Sequence, residues 1–113
     1  MSEQNEDVVR RCFASYLAGD RQAAENLIAE DFVFTSPQDD RIDRAAYFER
    51  CFPTADRFAA MQLLYCVPFR DDVFVLYEYE VRDTGERYRN TEVLTLRDGQ
   101  VVETQVFFGG RHG

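Results

Sequence analysis

At 113 residues the chain has room for one core, and an apolar share of 45% is enough to build it. No run approaches the roughly 18 apolar residues of a membrane helix, and a formal net charge of −8 repels nucleic-acid phosphates and anionic lipid, so neither is an expected partner. The acidic start, MSEQNEDVVRR, lacks the basic, then apolar, pattern of an export signal, which makes a cytoplasmic protein the expectation.

Residues 5–17 read as a helix, with Asn5 as its cap and Glu6 and Asp7 in the first turn, where the helix dipole favours acids. Val8, Val9, Cys12, Phe13, Tyr16 and Leu17 recur at helical spacing on one face, and Gly19 suits the stop. Asp20 caps a second helix whose apolar face is Ala23, Ala24, Leu27 and Ile28. EDFVFTSP is a short strand ended by Pro37, QDDRI a loop, and Asp43 the cap of a third helix carrying Tyr47, Phe48, Cys51 and Phe52. Beyond it the apolar period changes from 3.6 to 2. Strands are expected over 58–69, 73–82, 87–97 and about 101–108, with a turn at Asp71-Asp72.

Alternation and turn length then set the register. Val73, Val75, Tyr77, Tyr79 and Val81 share one face, and Glu78, Glu80 and Arg82 the other. A four-residue turn over Asp83-Thr84-Gly85-Glu86 sets Glu80 opposite Arg89, Tyr77 opposite Glu92 and Tyr79 opposite Asn90. At the last turn a two-residue loop would join inward Leu94 to outward Glu103, because a slip of one residue flips faces. A three-residue loop, Asp98-Gly99-Gln100, pairs Leu94 with Thr104 and Glu92 with Val106, and is the expected one.

Cys12, Cys51 and Cys66 are odd in number and widely spaced, so they read as small buried hydrophobes in a reducing compartment rather than a disulfide frame or zinc site. The single histidine, His112, is next to last, which leaves triad and histidine–metal chemistry almost no material. No phosphate loop or dinucleotide fingerprint is present, and neither metal nor cofactor is expected.

Three helical segments, a strand and a run of long hairpins, with LAGDRQAAENLIAEDFVFTSP and DGQVVETQVFFGG at the two ends, resemble the nuclear transport factor 2-like superfamily, in its SnoaL-like and ketosteroid-isomerase-like branch. The resemblance covers nearly the whole chain as one domain, 1–113. It implies an α+β fold in which a cone-shaped, curved antiparallel sheet packs on three N-terminal helices around a conical pocket. It does not fix a reaction, because this scaffold hosts isomerases, cyclases, epoxide hydrolases and transport factors. Where the resemblance places the isomerase base this chain has Ser36, and where it places the oxyanion-hole tyrosine, Cys12. The second, protonated carboxyl falls on Glu92. The epoxide hydrolase positions fall on Tyr77, Tyr79 and Val106, so both known catalytic sets are incomplete.

Glu92 and Tyr77 are therefore the candidate acid–base pair, with Cys12, Tyr16, Phe34, Ser36, Tyr65, Tyr79, Asn90, Val106 and Phe108 as the candidate ligand-binding wall. A carboxyl among apolar neighbours has a raised pKa and can donate or accept a proton. It can equally do no more than accept the Tyr77 hydroxyl, and the tyrosines can equally be plain core. Ser36 suits a backbone hydrogen bond beside Pro37, and Asp39, Asp40, Arg41 and Asp43 suit capping and solvation near the pocket mouth. The expected function is binding of a compact, mostly apolar small molecule. An acid–base isomerase or cyclase and a structural dimerisation module are the alternatives. Val93 and Phe107 are apolar on the otherwise polar outer face, where relatives dimerise, so a homodimer is expected there.

Overall fold

The computed structural model describes residues 2–113. In chain order the elements are α1 (Ser2–Ala18), α2 (Arg21–Leu27), β1 (Ile28–Ser36), β2 (Asp39–Asp43), α3 (Arg44–Arg50), a 3-10 helix (Phe52–Arg57), β3 (Phe58–Phe69), β4 (Asp72–Val81), β5 (Arg87–Arg97) and β6 (Gln100–Arg111).

Helix α1 begins before Asn5, which lies inside it and caps nothing. Glu6 and Asp7 instead pair with Arg10 and Arg11 one turn on, at 3.0 and 2.5 Å. Val8, Val9 and Phe13 are buried, whereas Leu17 is exposed because the chain leaves the core at Gly19 (φ 67°). Asp20 and Asp43 cap α2 and α3 through Ala23 N and Ala46 N. Ile28 belongs to β1 rather than to α2, and it starts the inward row Ile28, Phe32, Phe34. QDDRI is not a loop: Asp39–Asp43 form β2, a hairpin partner of β1 with Phe34 opposite Ile42. One inward apolar residue among charges is the pattern of an edge strand, which pairs on one side only.

The sheet order is β2-β1-β6-β5-β4-β3. It is mixed and not closed, since β1 runs parallel to β6 while every other pair is antiparallel. The expected antiparallel order was thus correct for the hairpins and silent on this long-range pair. Bulges curl the sheet around α1. On its concave side lies a core in which Val9, Phe32, Phe48, Val73, Val75 and Val101 are fully buried.

Two turns differ from expectation, and both keep the faces. The β4–β5 turn keeps four residues but lies at 82–85, one residue early, closed by the Val81 N–H donating to the Glu86 carbonyl, so Glu78, not Glu80, lies opposite Arg89. Tyr77 lies opposite Asn90, Val75 opposite Glu92 and Tyr79 opposite Tyr88. The shift is two residues, a full strand period, so each side chain stays on its face. At the β5–β6 turn Arg97 pairs with Gln100, leaving a two-residue loop with Asp98 and Gly99 both at positive φ (53° and 79°). The extra residue sits instead in a bulge, between Thr95 opposite Glu103 and Leu96 opposite Val101. Beyond it Leu94 meets Thr104 and Glu92 meets Val106, as the alternation requires.

Candidate functional site in the cone

Between α1, α3, the 3-10 helix and the concave sheet lies a cavity of about 580 Å³. That is the size of a small-molecule site. Of the residues singled out from the sequence, Cys12, Tyr16, Phe34, Ser36, Tyr77, Tyr79, Asn90, Glu92 and Val106 line it, and Phe108 sits at its rim, largely exposed. Tyr65 does not. A one-residue bulge between Leu63 and Tyr65 reverses the alternation of β3, so Tyr65 faces outward opposite Leu76 and is 64% exposed.

The chemistry of the cavity centres on a chain of three side chains. The Tyr77 hydroxyl donates to Glu92 Oε2 at 2.7 Å, across the diagonal left by the two-residue shift. The Asn90 amide donates to the Tyr77 oxygen at 3.2 Å, and the Gly109 N–H donates to Asn90 Oδ1 at 3.3 Å, which fixes the amide's orientation. Gly109 can do this because it passes against the backbone of β5; a Cβ there would lie 2.2 Å from the Arg89 carbonyl oxygen.

Burial pushes the Glu92 carboxyl up to about 7, and the Tyr77 hydrogen bond pulls against that rise. Burial and the neighbouring Glu92 also raise the Tyr77 phenol. Hence the proton between the two stays on the tyrosine, and Glu92 is the group that titrates. Its Oε1 accepts no hydrogen bond among the described residues, yet no buried side-chain oxygen or nitrogen among them lacks a partner. Oε1 therefore keeps accessible surface, and that surface is in the cavity that Glu92 lines.

Tyr47 belongs to this site and was read from the sequence only as core. Its ring packs on Phe32 and Phe34 at 5.2 and 5.0 Å, while its hydroxyl has no hydrogen-bond partner among the described residues. By the same reasoning that hydroxyl is reachable from the cavity. Burial, then the Glu92 charge, holds the phenol well above its ordinary value. Helical spacing alone does not tell such a tyrosine from a packing residue.

The cysteines are thiols held off reactivity. Burial pushes Cys12 up to about 12 and Cys51 to about 11, so neither supplies a thiolate near neutrality. Ser36 Oγ donates to Asp39 Oδ2 and accepts from Gln38 N, which is a turn-building role. Asp39 also pairs with Arg50 of α3, fastening the β1–β2 turn over the cavity mouth. At the rim the Thr54 hydroxyl donates to the Cys51 carbonyl, so the Tyr16 hydroxyl, 2.6 Å away, is the donor of that pair. Among the described residues no cluster of metal-ligating side chains occurs. A second hollow, lined largely by charged and amide side chains such as Asp7, Arg11, Asp71 and Arg97, lies away from this chemistry.

An open, curled six-stranded sheet that wraps a long helix is the architecture of the nuclear transport factor 2-like class of small domains. Within it the chain belongs to the SnoaL-like domain family, whose model matches residues 9–104. Solved structures agree on the fold. Bal32a, from a soil-derived mobile gene cassette, superposes with a TM-score of 0.79 at 24% identity over 95% of this chain and 90% of its own. A candidate ketosteroid isomerase from Kribbella flavida gives 0.80 at 20% identity over 99% and 82%. A candidate polyketide cyclase from Sinorhizobium meliloti gives 0.75 at 20% identity over 88% and 93%. No curated protein matches the sequence.

Proposed function

We propose that this SnoaL-like domain binds a compact, mostly apolar small molecule in its cone and holds one polar group of it against Glu92. The observation that carries this is the free Glu92 Oε1 in an aromatic cavity, with the Tyr47 hydroxyl as a second open partner. The ring of Phe13 against Tyr77 (5.3 Å) and those of Phe32 and Phe34 supply the apolar walls. Native mass spectrometry of the purified protein, followed by thermal-shift titration with matched aromatic hydrocarbon and alcohol pairs, tests it. The alcohol is expected to raise Tm more than the hydrocarbon, and Glu92→Leu to abolish that difference. No shift with either would overturn the reading.

A second reading, acid–base catalysis by Glu92 as in an isomerase or cyclase, is favoured by one observation: a carboxyl that titrates near 7 is matched to proton transfer at neutral pH. Two of the similar structures carry isomerase and cyclase descriptions, which gives a substrate panel of enolisable ketones. Loss of turnover with retained binding in Glu92→Gln distinguishes an enzyme from a binder. The three free thiols suit a cytoplasmic location, and no helix among the described residues is long and apolar enough to cross a membrane. The convex sheet face suits a homodimer, because Tyr65, Val67, Phe74 and Phe107 are all exposed there.

A further inference from the structure

All 13 basic residues of this chain are arginines. Nine pair with a carboxylate. Arg44 and Arg82 hold backbone carbonyls, and Arg70 lies over the Phe69 ring. Among the described residues only the Arg57 guanidinium makes no hydrogen bond, ion pair or ring contact. It is also one of two arginines that line the cavity, and the other, Arg50, is committed to Asp39. Arg57 stands at the last position of the 3-10 helix, on the rim beside Tyr16, whose phenol its charge pulls down against burial.

In a chain of net charge −8, one unpaired cation at the entrance of a cavity that also holds Glu92 and Asp39 divides the site by charge. Resting on the binding role proposed above, we infer that the ligand is a monocarboxylic acid whose carboxylate stays at the rim on Arg57 while its apolar body enters the cone. The orientation follows from solvation: a carboxylate carried inward would lose its hydration beside another carboxyl, Glu92, with no cation to pair it, whereas at the rim it meets a planar fork of N–H donors. The charge is single because only one guanidinium in the cavity wall is free; a phosphate dianion would leave one charge uncompensated.

The test uses phenylacetic acid and 1-naphthylacetic acid against their primary amides, titrated into the intact protein at pH 7.5 by calorimetry or NMR. The acids are expected to bind about tenfold more tightly than the amides, the worth of one charge-assisted contact. The preference should shrink in 1 M salt. Arg57→Gln should bring the acids down to the amides, and Arg70→Gln should leave the preference intact. Equal binding of acid and amide by the native protein, or a preference that survives Arg57→Gln, overturns this inference alone. Binding of none of the four probes overturns the cavity reading, and this inference with it.

Discussion

At Glu92 two opposed effects meet on one side chain. Burial favours the neutral acid, and the Tyr77 hydroxyl favours the carboxylate; burial wins, because one neutral donor does not replace the hydration of a charge. Removing the donor should therefore raise the pKa further. Carbon-detected NMR titration of the side-chain carboxyl is expected to place Glu92 near 7 in the native protein and higher in Tyr77→Phe. The same shift has a stability consequence of definite sign. Between about pH 4.5 and 7 the native state holds a proton that the unfolded chain has released, so stability falls as pH rises through that window. The fall is up to about 3 kcal/mol for a shift of that size. Glu92→Gln has no proton to lose. Urea midpoints taken from pH 5 to 8 should show the native protein losing ground to the variant as pH rises, with the curves parallel above the window.

The hairpins show how an element positions what no single residue can. The two-residue shift between β4 and β5 leaves every face unchanged but turns the Tyr77–Glu92 pair from directly opposite to diagonal, a distance that a phenol and a glutamate still span at 2.7 Å. The bulge in β3 has the reverse effect, moving Tyr65 from the cavity to the outer surface. At the far end of β6, Gly109 lets that strand approach β5 closely enough to hold Asn90. Gly109→Ala would drive a methyl into the Arg89 carbonyl, so we expect a loss of about 2 kcal/mol or more. It should also release Asn90 and disturb the Glu92 titration. Gly99→Ala meets open space and carries only the strain of its positive φ, about 1 kcal/mol. Chemical denaturation of both variants compares the two costs.

Across the whole molecule, the sheet buries one face against α1 and leaves the other without cover. On that convex face Val67 pairs with Phe74, which pairs with Val93, and beside this row run Tyr65, Leu76, Thr91 and Phe107. Contiguous apolar surface of this kind is what supports the proposed homodimer. A two-fold partner would cover it with its own equivalent face, charges from Glu78 and Arg89 bordering the patch. Light scattering is expected to give the mass of a dimer, and Phe107→Glu or Phe74→Glu to give a monomer with an unchanged far-ultraviolet spectrum. A native protein that stays monomeric at high concentration would remove the proposal.

What the sequence alone determined follows from periodicities that are local. The spacing of apolar residues separates the helices from the strands, Asp20 and Asp43 announce two helix starts, and strict alternation puts Tyr77, Glu92 and Val106 on one face whichever even register the turns select. The family resemblance rested on that same order of elements, and the matched residues 9–104 place the chain in it. The tertiary structure alone decided the rest. The parallel pairing of β1 with β6 brings Phe34 and Ser36 beside the last strand, a contact between segments some 70 residues apart with no local signal. Bulges, set by how the sheet must curl to close on α1, decided that Tyr65 leaves the cavity. The 3-10 helix after Pro53 carries Arg57 to the rim, and α3 turns the Tyr47 hydroxyl inward. Local pattern fixes which way a side chain faces relative to its own element; only the packing of elements against one another decides which side chains share a space.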